Sequence, residues 1–215
     1  MSSLNRLNIQ FISDEFAIAE LDNDLWQTAS EIAITTYWSG IVAPNGRRFS
    51  VRALWSKEAL YVRFEANTNE TLVVSEVPNL TTKSVGLWDR DVCEVFIAPD
   101  AQLPNKYFEF EIAPNGEWID LALEVTPDGR RTDLDFDSGM TSAVRIEEGR
   151  VLMAIKIPLL AFGITPNAGD VWLGNLFRCV GKEPNRGYLA WQPTLTEVPN
   201  FHVPERFGEF VFTPQ

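Results

Sequence analysis

Hydrophobic and polar residues alternate with a period of two along most of the chain. The runs Ile32–Trp38, Phe49–Trp55, Ala59–Ala66, Val92–Pro99, Tyr107–Ala113, Trp118–Val125, Ala143–Glu147, Val151–Pro158, Val171–Val180 and Phe207–Phe212 read as strands. They are rich in Val, Ile, Phe, Tyr and Trp, which suit a pleated, half-buried surface. Turn signals separate them: Pro44-Asn45-Gly46, Pro114-Asn115-Gly116, Pro127-Asp128-Gly129 and Glu148-Gly149. Short strands spaced in this way predict an all-β chain, a two-sheet, mainly antiparallel β-sandwich. Leu159–Phe162, ended by Gly163, is expected to form one helical turn. The polar stretches Asn67–Leu87 and Lys182–Gly187 are expected to be loops. No repeat or linker interrupts the pattern, so residues 1–215 are read as one domain.

The phase of the alternation singles out one segment, Leu87-Trp88-Asp89-Arg90-Asp91-Val92-Cys93-Glu94-Val95-Phe96-Ile97. Trp88 ends a polar loop and a strand follows. Cys93, Val95 and Ile97 share one strand face, the expected core side, and Glu94 points the other way with Val92 and Phe96. In the next strand Phe108, Phe110 and Ile112 form the core face, opposite Tyr107, Glu109 and Glu111. If the two strands pair, Glu94, Tyr107, Glu109 and Glu111 occupy one sheet surface. The plain alternative is edge charges that discourage sheet aggregation. Further on, Arg178 is in phase with Leu176 and opposite Phe177 and Cys179. Cys93 and Cys179 each adjoin a charged residue. If both thiols face the core, Glu94 and Arg178 face away from it and share one polar patch.

Composition narrows the partners. The chain has 215 residues, enough to bury a real core without a metal or disulfide staple. Its formal net charge of -12 disfavours nucleic acid, because little is available to displace phosphate counterions. No apolar run approaches the length of a membrane span. Cys93 and Cys179 sit in apolar runs and read as buried thiols, with pairing left open. His202 is the one histidine, which excludes zinc sites built from several imidazoles. No GxSxG elbow accompanies it. Met1–Arg6 lacks an apolar signal core, so a cytoplasmic location is expected unless a leader was removed.

The ordered set of motifs resembles family 9 carbohydrate-binding modules and the related DOMON-like sandwich domains. The resemblance rests on the Trp88–Ile97 run, on Tyr107-Phe108-Glu109-Phe110-Glu111-Ile112-Ala113-Pro114-Asn115-Gly116, and on Trp191-Gln192-Pro193. Phe201-His202-Val203-Pro204-Glu205-Arg206-Phe207-Gly208 and the Arg52–Trp55 and Leu60–Val62 segments extend it over roughly Leu25 to Phe212. It implies non-catalytic binding of a mono- or oligosaccharide, with Trp88 and Trp191 clamping a sugar ring and Glu94 and Arg178 bonding its hydroxyls. Tyr107, Glu109 and Glu111 would line the edge. The family also carries an arginine on the strand after the glutamate strand, and this chain has none there. No cofactor is required, structural calcium is allowed, and a separate carbohydrate-active enzyme is the implied partner.

The chemistry fits a pyranose independently. Aromatic faces bury its C–H surfaces, and charged side chains bond its hydroxyl rim. Trp26, Trp38, Trp55, Trp118 and Trp172 lie in or beside strands and read as core residues; Trp88 and Trp191 border loops. Two other functions use the same residues. A small glycoside hydrolase would pair Glu94 with Glu109 or Glu111. A haem-binding DOMON-like domain would use His202 with Met140 or Met153. Asp133-Leu134-Asp135-Phe136-Asp137-Ser138-Gly139 resembles the opening of a calcium loop, but lacks glycine at its sixth place and glutamate at its twelfth. Asp14, Glu15, Asp22 and Asp24 form a second acidic cluster.

Overall fold

The computed structural model describes residues 5–214. Its strands are β1 (Arg6–Phe11), β2 (Ile32–Ile34), β3 (Phe49–Trp55), β4 (Ala59–Asn67), β5 (Val92–Ala98), β6 (Lys106–Ile112) and β7 (Trp118–Thr126). They continue as β8 (Gly129–Asp133), β9 (Thr141–Glu147), β10 (Arg150–Pro158), β11 (Val171–Val180), β12 (Gly187–Ala190) and β13 (Gly208–Thr213). Among the described residues the only helical segments are short 3-10 turns. One of these is the expected Leu159–Phe162 turn, closed by Gly163. The all-β reading therefore holds.

The strands hydrogen-bond in one continuous path, β8-β7-β6-β5-β11-β13-β1-β3-β4-β10-β9, with β12 added to β11 and β2 to β3. The expectation was two sheets; a curled single sheet is observed. The cause is β1, which pairs in parallel with both β13 and β3 and so joins the two halves. Its alternation buries Leu7 and Ile9 and leaves Arg6 and Asn8 exposed.

Curling brings β3, β4 and β10 over β5, β6 and β11. Their facing side chains merge into one core, which includes Val51, Val62, Phe64, Met153, Ile155, Cys93, Val95, Phe110 and Leu176. Each such large apolar side chain contributes roughly 1.5–3 kcal/mol when removed from water. The outer faces are covered differently. Residues 12–29 pack Phe16 and Trp26 onto Tyr61 on the outer side of β4. On the opposite half, Leu87, Phe201 and Phe207 cover the outer side of β5, β6 and β11. That second cover is incomplete, and the opening it leaves is the cavity described next.

Candidate functional site

Register decides which side chains meet. Glu94 of β5 stands opposite Glu111 of β6, and Glu109 stands opposite Phe96. Across the other edge of β5, Glu94 faces Phe177 and Cys93 faces Arg178. Residues directly opposite share a sheet face. Glu94, Glu109 and Glu111 therefore lie together on the outer face, as expected from their phase. All three are buried, and one carboxylate oxygen of each lies within 4.8 Å of the others.

The same register overturns the placement of Arg178. It points inward with Cys93, and its Nη1 donates to the carbonyls of Arg47 at 2.7 Å and Arg48 at 3.1 Å. Cys179 points outward, where its thiol lies 3.5 Å from Glu94 Oε1. The two thiols thus face opposite ways, so the premise that placed Glu94 and Arg178 on one patch fails. Both cysteines are free, and burial pushes the Cys93 thiol up to about 12.

Trp191 also departs from expectation. Only 8% of it is exposed, and its ring packs in the inner core, 5.8 Å from Phe210. Gly208 makes room for it, since a Cβ there would lie 2.7 Å from the indole. Trp191 and Arg178 are absent from the cavity lining, so the Trp88–Trp191 clamp is not formed. Trp26, Trp55 and Trp172 are core residues as expected, and Trp38 and Trp118 pack partly against the clusters.

Trp88 is the exposed tryptophan, at 39%. It sits in a 3-10 turn, Leu87–Asp89, entered through Gly86 at φ 83, a left-handed conformation that suits glycine. Leu87 anchors the turn from below. Arg186 holds it from the side: its guanidinium donates to the carbonyls of Trp88 at 2.6 Å, of Arg90 at 2.7 Å, and of Asp89. Sequence reading missed this role, because Arg186 lies in an irregular loop without periodicity.

The cavity beside Trp88 has a volume of about 610 Å³. Glu94, Glu109 and Cys179 form its floor; Trp88, Tyr188, Phe201 and His202 stand around it, and Asp89 and Arg130 contribute charges. Phe201 is fixed by stacking on Phe177 at 4.1 Å. His202 lies over Phe96 at 5.2 Å, and its Nδ1 shares a 2.8 Å hydrogen bond with the Tyr107 hydroxyl. Burial pulls the His202 imidazole down to about 3, so it is neutral at ordinary pH. Tyr107 is buried beneath this layer as a support, and burial raises its hydroxyl. Tyr188 and Phe201 are aromatic wall residues that the motif reading passed over.

The glutamates carry unusual electrostatics. Burial holds all three carboxyls above their usual range. Glu109 raises Glu94 further, and both Glu94 and Glu109 raise Glu111. Apart from the bond between the Glu109 and Glu111 carboxyls themselves, Glu109 Oε2 and both oxygens of Glu111 have no hydrogen-bond partner among the described residues. The other acidic candidates are spent on local structure. Asp133 and Asp137 accept from backbone N–H groups of their own turn. Asp22 pairs with Arg145, and Glu15 with Lys156. Among the described residues, the acidic side chains close enough together to share an ion are Glu94, Glu109 and Glu111. Met140 and Met153 lie in the inner core, while His202 is on the outer face, so the haem pairing is not assembled.

The model of the carbohydrate family 9 binding domain-like family matches residues 19–214. The chain belongs to that family. The family member is similar in fold to a protein from Bacteroides uniformis provisionally described as carbohydrate-binding, at 17% identity and TM-score 0.77, covering 98% of this chain and all of that one. It also resembles a family 9 module from Caldicellulosiruptor kristjanssonii solved with cellotriose, at 13% identity and TM-score 0.69, covering 98% and 95% of the two chains. The glucose complex of a family 9 module from the same organism gives 14% identity and TM-score 0.66, covering 98% and 97%. An extracellular protein of Arthroderma benhamiae is 27% identical over 81% of this chain and 86% of its own length.

Proposed function

We propose that this family 9 domain binds a saccharide non-catalytically in the cavity beside Trp88. The observation that carries the reading is a half-exposed indole held rigidly at the mouth of a cavity floored by carboxyl groups. Trp88 supplies a flat apolar face for the C–H surface of a pyranose, with Tyr188 and Phe201 around it. Glu94 and Glu109 bond hydroxyls from below; a carboxylate accepts, and a protonated carboxyl also donates. The cavity volume falls within the range of small-ligand sites. The ligands of the Caldicellulosiruptor modules, glucose and cellotriose, make short β-glucans the first candidates. The residue set differs from the expected one: Tyr188 and Phe201 take the place assigned to Trp191, and Arg178 has no contact with the sugar.

Calorimetric titration with glucose, cellobiose and cellotriose tests the reading. Binding in the range of about 1 mM to 1 μM is expected. Trp88→Ala should weaken it at least tenfold, about 1.4 kcal/mol. Silence over a broad sugar panel overturns the reading. The hydrolase alternative has its own test: turnover of aryl glycosides by the wild type that disappears in Glu94→Gln would overturn the non-catalytic assignment.

A further inference from the structure

Among the described residues six acidic side chains are buried: Asp91, Glu94, Glu109, Glu111, Glu117 and Asp120. Of those outside the cavity floor, Asp120 and Glu117 are paired with a cation, and Asp91 is bonded through one oxygen while its Oδ2 has no partner. Asp120 pairs with Lys83 at 2.7 Å and accepts from Ser138. Glu117 pairs with Arg90 at 2.7 Å and accepts from Asn115 at 2.9 Å. Asp91 accepts from the Gly181 N–H at 2.7 Å. Glu94, Glu109 and Glu111 have no lysine or arginine within salt-bridge distance among the described residues. The contact nearest to one is His202 Nδ1, 4.0 Å from Glu109. Arg186, which acts on Glu94 from a distance, has its guanidinium engaged with the carbonyls of the Trp88 turn.

Leaving a buried carboxyl without a partner is expensive, on the order of 1–3 kcal/mol or more per group. Asp91 Oδ2 is a separate buried orphan, but the three carboxyls that lack a cation together converge on one point, and Glu94 and Glu109 line an aromatic-walled cavity open to solvent. The fully buried Glu111 side chain lies directly behind that floor, and its one hydrogen-bond partner is the neighbouring Glu109 carboxyl. Acidic side chains at the cavity wall outnumber basic ones: Asp89, Glu94 and Glu109 stand against Arg130, and His202 is neutral. The net charge of -12 adds a long-range attraction for cations.

Resting on the saccharide-binding reading, we propose that the site prefers a sugar carrying a free amine, its ammonium seated against Glu94 and Glu109 with Glu111 behind. An ammonium offers three N–H donors, enough to bond both Glu94 and Glu109, whose oxygens lie within 4.8 Å of each other, with one left for solvent. Charge-assisted hydrogen bonds of this kind are roughly twice as strong as neutral ones. The ring's C–H face then lies against Trp88, and the indole also favours a nearby cation. A hard divalent cation is the competing occupant of the floor, since three carboxylates can supply about three to six of its oxygen ligands and water the rest; EDTA in the titration separates the two.

Wild-type protein titrated in parallel with methyl glucosaminide, its N-acetyl counterpart and methyl glucoside, in EDTA at neutral pH, tests the preference. The amine is expected to bind at least tenfold tighter than either neutral sugar. In Glu109→Gln both sugars should weaken, since Glu109 also bonds hydroxyls, but the amine should lose several-fold more affinity than methyl glucoside does. Equal or tighter binding of a neutral sugar overturns the preference and leaves the saccharide reading standing. Absence of binding by all three, together with silence over the broader panel, overturns both. A signal that requires added calcium or manganese overturns it in favour of a metal-bridged site. Cyclohexylamine binding as tightly as the amino sugar overturns it in favour of a general amine pocket. The wild-type comparison stands even if a glutamate variant fails to fold.

Discussion

The two faces of β5, β6 and β11 are built from alternate residues of the same strands, yet they solve opposite problems. On the inner face Cys93, Val95, Phe110, Ile112 and Leu176 pack against the other half of the sheet. The one charge there, Arg178, is satisfied by two backbone carbonyls. On the outer face Phe96, Phe177 and Cys179 surround three carboxyls without a cation, of which Glu109 and Glu111 find little beyond each other to bond. Burial is similar on both sides; satisfaction of polar groups is not. The inner face therefore stabilises the fold, and the outer face carries a cost that a ligand can offset.

The largest test of this contrast is Trp191. Trp191→Ala should destabilise the protein by about 3–5 kcal/mol in denaturant unfolding, as for other buried aromatics. Sugar affinity of the folded protein should be unchanged. Loss of binding with stability intact would break the contrast and restore the two-tryptophan clamp. Arg178→Leu comes next, at about 1–3 kcal/mol, because it takes the side-chain donor from the Arg47 carbonyl and one of two donors from that of Arg48, which keeps the Asn67 N–H. Its saccharide titration should match the wild type.

Glu111 sharpens the comparison through pH. Its folded-state carboxyl is held well above the usual range, by burial first and then by Glu94 and Glu109. The folded protein thus keeps a proton that the unfolded chain releases above about pH 4.3. Stability from this group is present in acid and is lost as pH rises through the raised folded value. Glu111→Gln should therefore raise Tm at pH 7 by a few degrees, about 2–4 °C for each kcal/mol, with the gain shrinking toward pH 4. His202 acts in the opposite sense, its share growing up to the unfolded imidazole range near 6.5, and is common to both proteins. A gain that widens toward acid pH would contradict the uncompensated floor. The smallest effect belongs to Trp88→Ala, which should alter unfolding free energy by no more than about 0.5 kcal/mol. A larger loss would place Trp88 among the supports of the fold.

Much of this was legible in the chain. Phe49–Trp55 and Val171–Val180 are strands over the ranges their alternation indicates. The shared face of Glu109 and Glu111 follows from their two-residue spacing, and Glu94 joins them once β5 pairs with β6. Gly129–Asp133 and Gly187–Ala190 escaped notice because both are short, and the first is fully exposed and carries no apolar alternation. Trp191 borders a loop, as a ligand-binding tryptophan would, but the small Gly208 beside it admits the ring to the core.

The sequence by itself determined the all-β class, the strands that carry the site, and which residues within each strand share a side. The tertiary structure decided how those sides align between distant strands. Period-two alternation specifies relative orientation along one strand; pairing offset sets orientation between strands, and a shift of one residue reverses it. That offset sent Arg178 inward with Cys93 and left Cys179 beside Glu94. It also depends on contacts that local pattern does not encode, such as the parallel seat of β1 between β13 and β3.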